Sequence, residues 1–108
     1  MIEYVAWFFG GALAANGVPH FVAGVSGRAF PTPFARFYGR TESTAWFNVI
    51  WAALNLAGAY ALVRRVGMFD GGNLMHVGTA GLGALLLALA MAVWFGKEYG
   101  GNRPGSRF

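Results

Sequence analysis

The sequence predicts an all-α integral membrane protein, with three transmembrane helices and a short interfacial helix in the first loop. Three stretches contain no charged residue, at 4–27, 43–63 and 71–96, and each can supply the roughly 20 residues that a helix needs to cross a bilayer. Charged residues make up only 11% of the chain, well below the roughly 25% of soluble domains. Bare backbone finds no hydrogen-bond partner in lipid, and three segments cannot close a barrel, so helices are expected.

The first span is predicted at about 4–25, and a stiff loop follows it. Pro31 and Pro33 prevent the helix from continuing, because proline fixes its own backbone angle and lacks a donor. A short interfacial helix, closed by Gly39, is expected in this loop, with Phe34 at the membrane surface.

The second and third spans are predicted at about 45–65 and 74–95. Between them, the sequence Asp-Gly-Gly-Asn at 70–73 supplies turn residues and a helix cap. Residues 1–99 are therefore expected to form a single three-helix transmembrane domain. The glycine-rich and basic residues 100–108 are expected to be a disordered tail.

Lysine and arginine are distributed unevenly between the two ends of the predicted bundle. The first loop and the C-terminal tail contain six of them, whereas the second loop contains two, Arg64 and Arg65. Positively charged loops stay in the cytoplasm, so the N-terminus is expected outside and the C-terminus in the cytoplasm. Attraction to anionic lipid explains the net charge of +4, and no nucleic-acid partner is predicted.

Few polar residues interrupt the spans. Asn16 and His20 share one face of the first span, beside the backbone carbonyl that Pro19 leaves without a donor. Asn48 and Asn55, seven residues apart, share a face of the second span. We predict that these five residues form a polar node within the membrane. One interpretation is structural, since the side chains can satisfy the free carbonyl and join helices; the other is contact with a ligand, proton or ion.

No catalytic, metal or cofactor site is predicted. The chain has no cysteine, which removes disulfides, thiol nucleophiles and Cys-based metal sites. His20 and His76 belong to opposite ends of the predicted bundle, so they cannot share a metal within one chain. The sequence shows no cluster of serine, histidine and acid, and no charged residue lies within a span to relay protons or select ions.

Small residues form two ridges that predict close helix packing. Gly10 and Ala14 belong to a ridge on the first span, on a face expected to point away from the polar node. Ala80, Ala84 and Ala88 recur every four residues on the third span. Such ridges bring helix backbones together in a bilayer. Three helices can use only part of these surfaces internally, so at least one ridge is expected to meet another chain.

A distinctive motif ends the first span and continues into the loop. The run from Asn16 to Phe34 reads NGVPHFVAGVSGRAFPTPF, and it resembles a signature, NGVPHF...GR.FPTPF, of a group of small uncharacterised bacterial three-span membrane proteins. Three residues of the second span extend the resemblance: Asn48, Trp51 and Asn55. The pair His20-Phe21 is also similar to a pair late in the first helix of the four-helix DoxX-like proteins. The resemblance implies a bacterial inner (plasma) membrane location and no particular activity.

Two functions are compatible with these observations. The first is a non-enzymatic membrane protein that acts by helix packing, as a homo-oligomer or as an accessory subunit of a larger membrane complex. The alternative is a binder or conduit for a hydrophobic or neutral small solute, lined by Asn16, His20, Asn48 and Asn55. In either case the expected partners are the lipid bilayer and another copy of the chain or a second membrane protein.

Overall fold

Three long helices form most of the structure. The computed structural model describes residues 1–103 and 105. Its long helices are α1 (Ile2–Val25), α2 (Ala45–Arg64) and α3 (Leu74–Tyr99). They are about 30 to 39 Å long at about 1.5 Å per residue, and each is long and apolar enough to cross a bilayer core of about 30 Å. The described residues contain no β-strand, only one isolated antiparallel bridge between Phe30 and Ser43. The predicted all-α class is confirmed.

The second and third helices begin at side-chain caps. The Thr44 hydroxyl accepts a hydrogen bond of 3.3 Å from the Phe47 N–H. Asn73 Oδ1 accepts from the N–H groups of Met75 and His76 at 2.9 and 3.3 Å. Such caps satisfy donors that the first helical turn leaves without a partner. The cap predicted in the turn before the third span is therefore present.

The third helix extends four residues beyond its predicted end at position 95, to Tyr99. Gly100 then adopts a left-handed conformation at φ 79°. Asn102 folds back so that its Nδ2 donates to the Val93 carbonyl at 2.8 Å. The first residues of the predicted tail therefore close the helix, and Pro104 and residues 106–108 lie outside the described residues.

The first helix lies between the other two. α1 packs against both α2 and α3, whereas contacts between α2 and α3 are sparse. Tyr4 and Trp7 at the start of α1 contact His76 at the start of α3, so these two helices run in the same direction. Gly24 at the end of α1 meets Ala45 at the start of α2, so that pair is antiparallel.

Glycines seven residues apart line the contact between α1 and α2. A Cβ built on Gly17 would lie 3.4 Å from the carbonyl oxygen of Ala52, and one on Gly24 would lie 2.8 Å from that of Ala45. The alanines are also seven residues apart. This regular pairing of small residues allows the two backbones to approach closely.

The first and third helices cross at a second pair of glycines. A Cβ built on Gly11 would overlap the carbonyl of Ala80, and one on Gly83 would overlap the carbonyl of Phe8. The two backbones therefore touch at this point. Gly83 is the one buried residue of α3, which is described along its whole length. The third helix consequently exposes most of its surface.

The two predicted small-residue ridges are used partly within the chain. Gly10 is buried against α2, where an added Cβ would lie 3.3 Å from the Ala59 carbonyl oxygen. The ridge on the first span therefore faces the same helix as the polar side chains, and the expectation that it points away from them was wrong. Ala80 contributes its carbonyl to the glycine crossing, Ala84 is half-buried and Ala88 is exposed.

The first loop folds back over the ends of α1 and α2. Phe30 and Ser43 exchange two backbone hydrogen bonds of 3.1 and 2.9 Å, and the hydroxyl oxygens of Thr32 and Ser43 lie 2.6 Å apart. The short helix predicted in this loop is a single 3-10 turn, Ala35–Tyr38, followed by Gly39 at φ 66°. Two polar bridges thus hold the loop closed at its base.

Aromatic side chains attach the loop to two helices. The Phe30 ring lies 4.8 Å from the Phe95 ring and 6.1 Å from the Tyr99 ring of α3. The Phe34 ring lies 5.0 Å from Trp51 of α2. Phe34 is 39% exposed, so this residue, expected at the membrane surface, packs substantially against protein.

Candidate functional site

Asn48 connects the first loop to α1 and α2. It is fully buried, with 0% of its surface exposed. Its Nδ2 donates to the backbone carbonyl oxygens of Phe30, Ser43 and Thr44 at 3.1, 3.2 and 2.9 Å. Its Oδ1 lies 2.7 Å from His20 Nδ1. One side chain therefore fixes both the return of the loop and the position of the imidazole.

These contacts also determine which His20 nitrogen carries the hydrogen. Carbonyl oxygens only accept hydrogen bonds, so the Asn48 group that faces them is the NH2 and the group that faces His20 is the oxygen. His20 Nδ1 must then be the donor, which leaves Nε2 as an acceptor in the neutral ring. Nε2 has no hydrogen-bond partner within the described part of the chain.

A second amide pair is oriented in the same way. Asn55 Nδ2 donates to the Trp51 carbonyl at 2.8 Å, so Asn55 Oδ1 accepts from Asn16 Nδ2 at 2.9 Å. Asn16 Oδ1 is consequently a second acceptor, and no described residue donates to it. Asn16 is half-buried, whereas Asn55 is buried.

The structure places the predicted polar node as two separate hydrogen-bonded pairs. Asn16 meets Asn55, and His20 meets Asn48. The structural interpretation had Asn16 and His20 bonding to each other and to the carbonyl freed by Pro19. Both side chains reach across to α2 instead, and α1 continues without interruption through Pro19.

A cavity of about 780 Å³ opens beside these pairs, at the end of the molecule that carries the first loop. This volume lies within the range of roughly 300 to 1,000 Å³ that is usual for small-molecule sites. The lining residues come from all three helices and the loop: Asn16, His20, Pro31, Thr32, Pro33, Gly39, Arg40, Thr41, Trp51, Trp94, Phe95 and Glu98. Asn48 and Asn55 were predicted to line such a site but do not belong to this set. They lie behind the lining and hold His20 and Asn16 by hydrogen bonds.

Trp51, whose side chain also lines the cavity, carries an unpaired donor. Its indole Nε1 is buried and has no hydrogen-bond partner among the described residues. In contrast, the Trp7 indole donates to the Val66 carbonyl at 2.9 Å. A buried donor without a partner costs about 1 to 3 kcal/mol, and such groups are uncommon in folded proteins. The cavity wall therefore presents acceptors that no described residue uses, and one of its lining residues encloses an unused donor.

The charged residues at the cavity do not favour an ion of either sign. Arg40 and Glu98 both line it, one positive and one negative. Nearby, the Tyr99 hydroxyl donates to Glu42 Oε2 at 2.6 Å, which ties the last turn of α3 to the end of the loop. The two charges sum to zero, so the lining favours an occupant without net charge.

The other histidine lies at the opposite end of the bundle. The His76 ring lies 4.3 Å from the Trp7 ring and 5.7 Å from the Tyr4 ring, and its Nδ1 accepts from the Asp70 N–H at 3.0 Å. The described residues include no group of three or more His, Cys, Asp or Glu side chains able to hold a metal ion. His76 thus acts as part of an aromatic cluster.

Neither Trp51 nor the first loop was predicted from the sequence to be part of the site. Trp51 lies three residues after Asn48 and four before Asn55, so helical spacing places it on the same face. That spacing could have identified it. The contribution of Thr41 and the prolines depends on how the loop folds back, and no local pattern indicates that.

Comparisons with protein-family models, with curated proteins and with solved structures gave no match to this chain. The resemblance of residues 16–34 to a signature of bacterial membrane proteins therefore stays a prediction. The geometry of the cavity is the basis for a functional conclusion.

Proposed function

We propose that the chain is a three-span membrane protein that binds a neutral amphipathic small molecule in the cavity beside His20. Three helices of sufficient length and apolarity support insertion in a bilayer. The six-to-two distribution of lysine and arginine supports an inner membrane protein with its C-terminus in the cytoplasm. In that orientation the cavity opens near the cytoplasmic surface.

This proposal rests on hydrogen-bonding groups of the lining residues that have no partner among the described residues. His20 Nε2 and Asn16 Oδ1 are acceptors without described donors, and the Trp51 indole is a buried donor without an acceptor. Hydrocarbon tails cannot satisfy such groups, so they are costly unless a polar group joins them. Polar residues at membrane depth are accordingly associated with function.

The shape and charge of the cavity indicate an amphipathic occupant. Trp94 and Phe95 provide apolar walls on α3, opposite Trp51 on α2. A few polar groups in a mostly apolar pocket are typical of sites for small molecules. The opposite charges of Arg40 and Glu98 offset each other, so a molecule with an uncharged polar end and an apolar body fits best.

A role in assembly, the other function predicted from the sequence, has narrower support. The first-span ridge packs on α2, and Ala80 is engaged in the crossing with α1. Ala88 stays exposed, as does most of α3. Association along the third helix, with a second copy or an accessory role in a larger complex, is therefore the second candidate.

Native mass spectrometry from lipid nanodiscs tests the proposed function. The Thr41→Trp variant should fill the cavity, because Thr41 lines it and none of the described hydrogen bonds involves its side chain. The matched control is Tyr38→Trp, in the same loop but outside the lining. We expect a small molecule of constant mass bound to the parent and to the control, and its loss from Thr41→Trp.

Two results would contradict the proposal. One is a parent protein that carries nothing beyond the bulk lipids of the nanodisc. The other is equal retention of the bound molecule by both variants. Recovery of a further protein subunit with an empty cavity would favour the assembly role instead.

A further inference from the structure

Two hydrogen-bond acceptors lie one helical turn apart on the cavity wall. Asn16 and His20 are four residues apart on α1, which brings their Cβ atoms within about 6 Å of each other. Asn16 uses one of its two N–H donors on Asn55, and the neutral His20 ring uses its one N–H donor on Asn48. Oδ1 of the first and Nε2 of the second are therefore left for an occupant.

Backbone carbonyls fix this pattern of acceptors. Three carbonyl oxygens orient the Asn48 amide, and the Trp51 carbonyl orients the Asn55 amide. Neither amide can turn over without placing its oxygen against another oxygen. The acceptor character of the wall is thus built into the fold.

A matching ligand offers two donors, one for each acceptor. Hydroxyl groups on adjacent carbons meet this condition, because each can donate to one acceptor. A hydroxyl oxygen also accepts, so it can pair with the second N–H of Asn16. Ethers and ketones lack the required donors.

The depth of the acceptors further restricts the ligand. His20 lies five residues and Asn16 nine residues before the end of α1 at Val25, or about 7.5 and 13.5 Å along the helix. A phosphate headgroup would have to leave water to reach them, which is costly for a charge. An uncharged headgroup can reach this depth.

We infer that the cavity binds a neutral lipid with two adjacent hydroxyl groups in its headgroup, of the monoacylglycerol type. This inference rests on the proposed function and specifies its ligand class. The hydroxyl groups donate to His20 and Asn16, and the acyl chain lies along Trp94 and Phe95 toward the bilayer.

Binding of two matched probes in nanodiscs tests the inference. The first probe is 1-monolauroylglycerol, and the second is its dimethyl ether, which has the same chain and ester but no hydroxyl donor. The parent protein should bind the diol about tenfold more tightly than the ether, as expected from one to two hydrogen bonds. The indole N–H resonance of Trp51 should shift with the diol, while that of Trp7, already paired with Val66, stays fixed.

Substitutions at His20 and Asn16 test whether these two acceptors cause the preference for the diol over the ether. His20→Phe and Asn16→Leu should each reduce the ratio of diol affinity to ether affinity from about tenfold toward one. Helical circular dichroism equal to that of the parent shows that each variant is folded. Asn16→Leu loses only one hydrogen bond in the fold, so it keeps the test decisive if His20→Phe is unstable. The control is Tyr38→Phe, which removes an exposed hydroxyl outside the cavity.

Each outcome has a defined meaning. A diol preference that disappears in Asn16→Leu but not in Tyr38→Phe supports the inference. Equal affinity of the parent for both probes overturns the diol inference and leaves the proposed function standing. Binding of neither probe, together with an empty protein in native mass spectrometry, overturns both.

Discussion

Replacing Asn48 with alanine should destabilise the protein by about 2 to 4 kcal/mol. The carbonyls of Phe30, Ser43 and Thr44 each keep a backbone donor, so they lose only a second hydrogen bond. The Asn48 NH2 group has two hydrogens to share among these three oxygens, and two bonds at about 0.6 kcal/mol each amount to about 1 kcal/mol. His20 Nδ1 loses its one described acceptor, and an unsatisfied buried donor costs about 1 to 3 kcal/mol more.

The assay is unfolding in mixed micelles of dodecyl sulfate and a mild detergent, followed by helical circular dichroism. Asn55→Ala is the matched control, because it loses one hydrogen bond to another helix, from Asn16, and should cost about 1 kcal/mol. The double variant with His20→Ala should cost less than the sum of Asn48→Ala and His20→Ala, since the two side chains share a bond. A loss for Asn48→Ala no larger than that for Asn55→Ala, or strict additivity with His20→Ala, would refute the assignment of Asn48 as the central residue.

The remaining predictions concern helix packing and orientation. Gly83→Ala should lower stability by about 1 to 3 kcal/mol because its Cβ meets a backbone carbonyl of α1. Gly81→Ala on the same helix enters open space and should raise stability by up to about 1 kcal/mol; equal effects in the same unfolding assay would argue against the crossing. In intact cells, a cysteine at Gly71 should react with an impermeant thiol reagent and one at Gly105 should not, and the reverse labelling would contradict the proposed orientation.

Length, hydropathy and turn residues were enough to predict the three helices. The charged boundaries at Arg64 and Asp70, with the cap at Asn73, lie where the second helix ends and the third begins. The end of α3 was placed too early because the uncharged stretch ends at residue 96, before Lys97. The cap by Asn102 depends on a return of the chain that hydropathy does not describe.

Helix neighbours were harder to predict than helices. The sequence shows small residues at Gly10, Gly11, Gly17 and Gly24 alike, and nothing local distinguishes the face that meets α2 from the face that meets α3. Spacing by seven connects Gly10, Gly17 and Gly24, and this periodicity does mark the antiparallel contact. Gly11 contacts a different helix because it lies about 100° around α1 from Gly10.

The residues of the polar node were recognised by their type. Which of them form hydrogen bonds with each other could not be predicted. In one of the two interpretations, Asn16 and His20 satisfy the carbonyl freed by Pro19, which is the nearest unsatisfied group in sequence. The structure pairs them with Asn55 and Asn48 across the helix interface. Such pairing depends on the register of two helices, which is set by glycine and alanine contacts such as that of Gly17 with Ala52.

The hydrogen-bonding groups that the cavity presents are therefore determined by residues that lie behind its lining. Asn48 and Asn55 do not line the cavity, yet their orientation decides that His20 and Asn16 present acceptors. A substitution that removes the Asn48 amide would free His20 to place its hydrogen on either nitrogen, and the wall could then present a donor in place of an acceptor. For this reason a change at Asn48 should alter which headgroup is preferred, whereas a change at an apolar lining residue such as Phe95 should weaken binding of the diol and the ether alike. That contrast separates the residues that define the ligand from those that only enclose it.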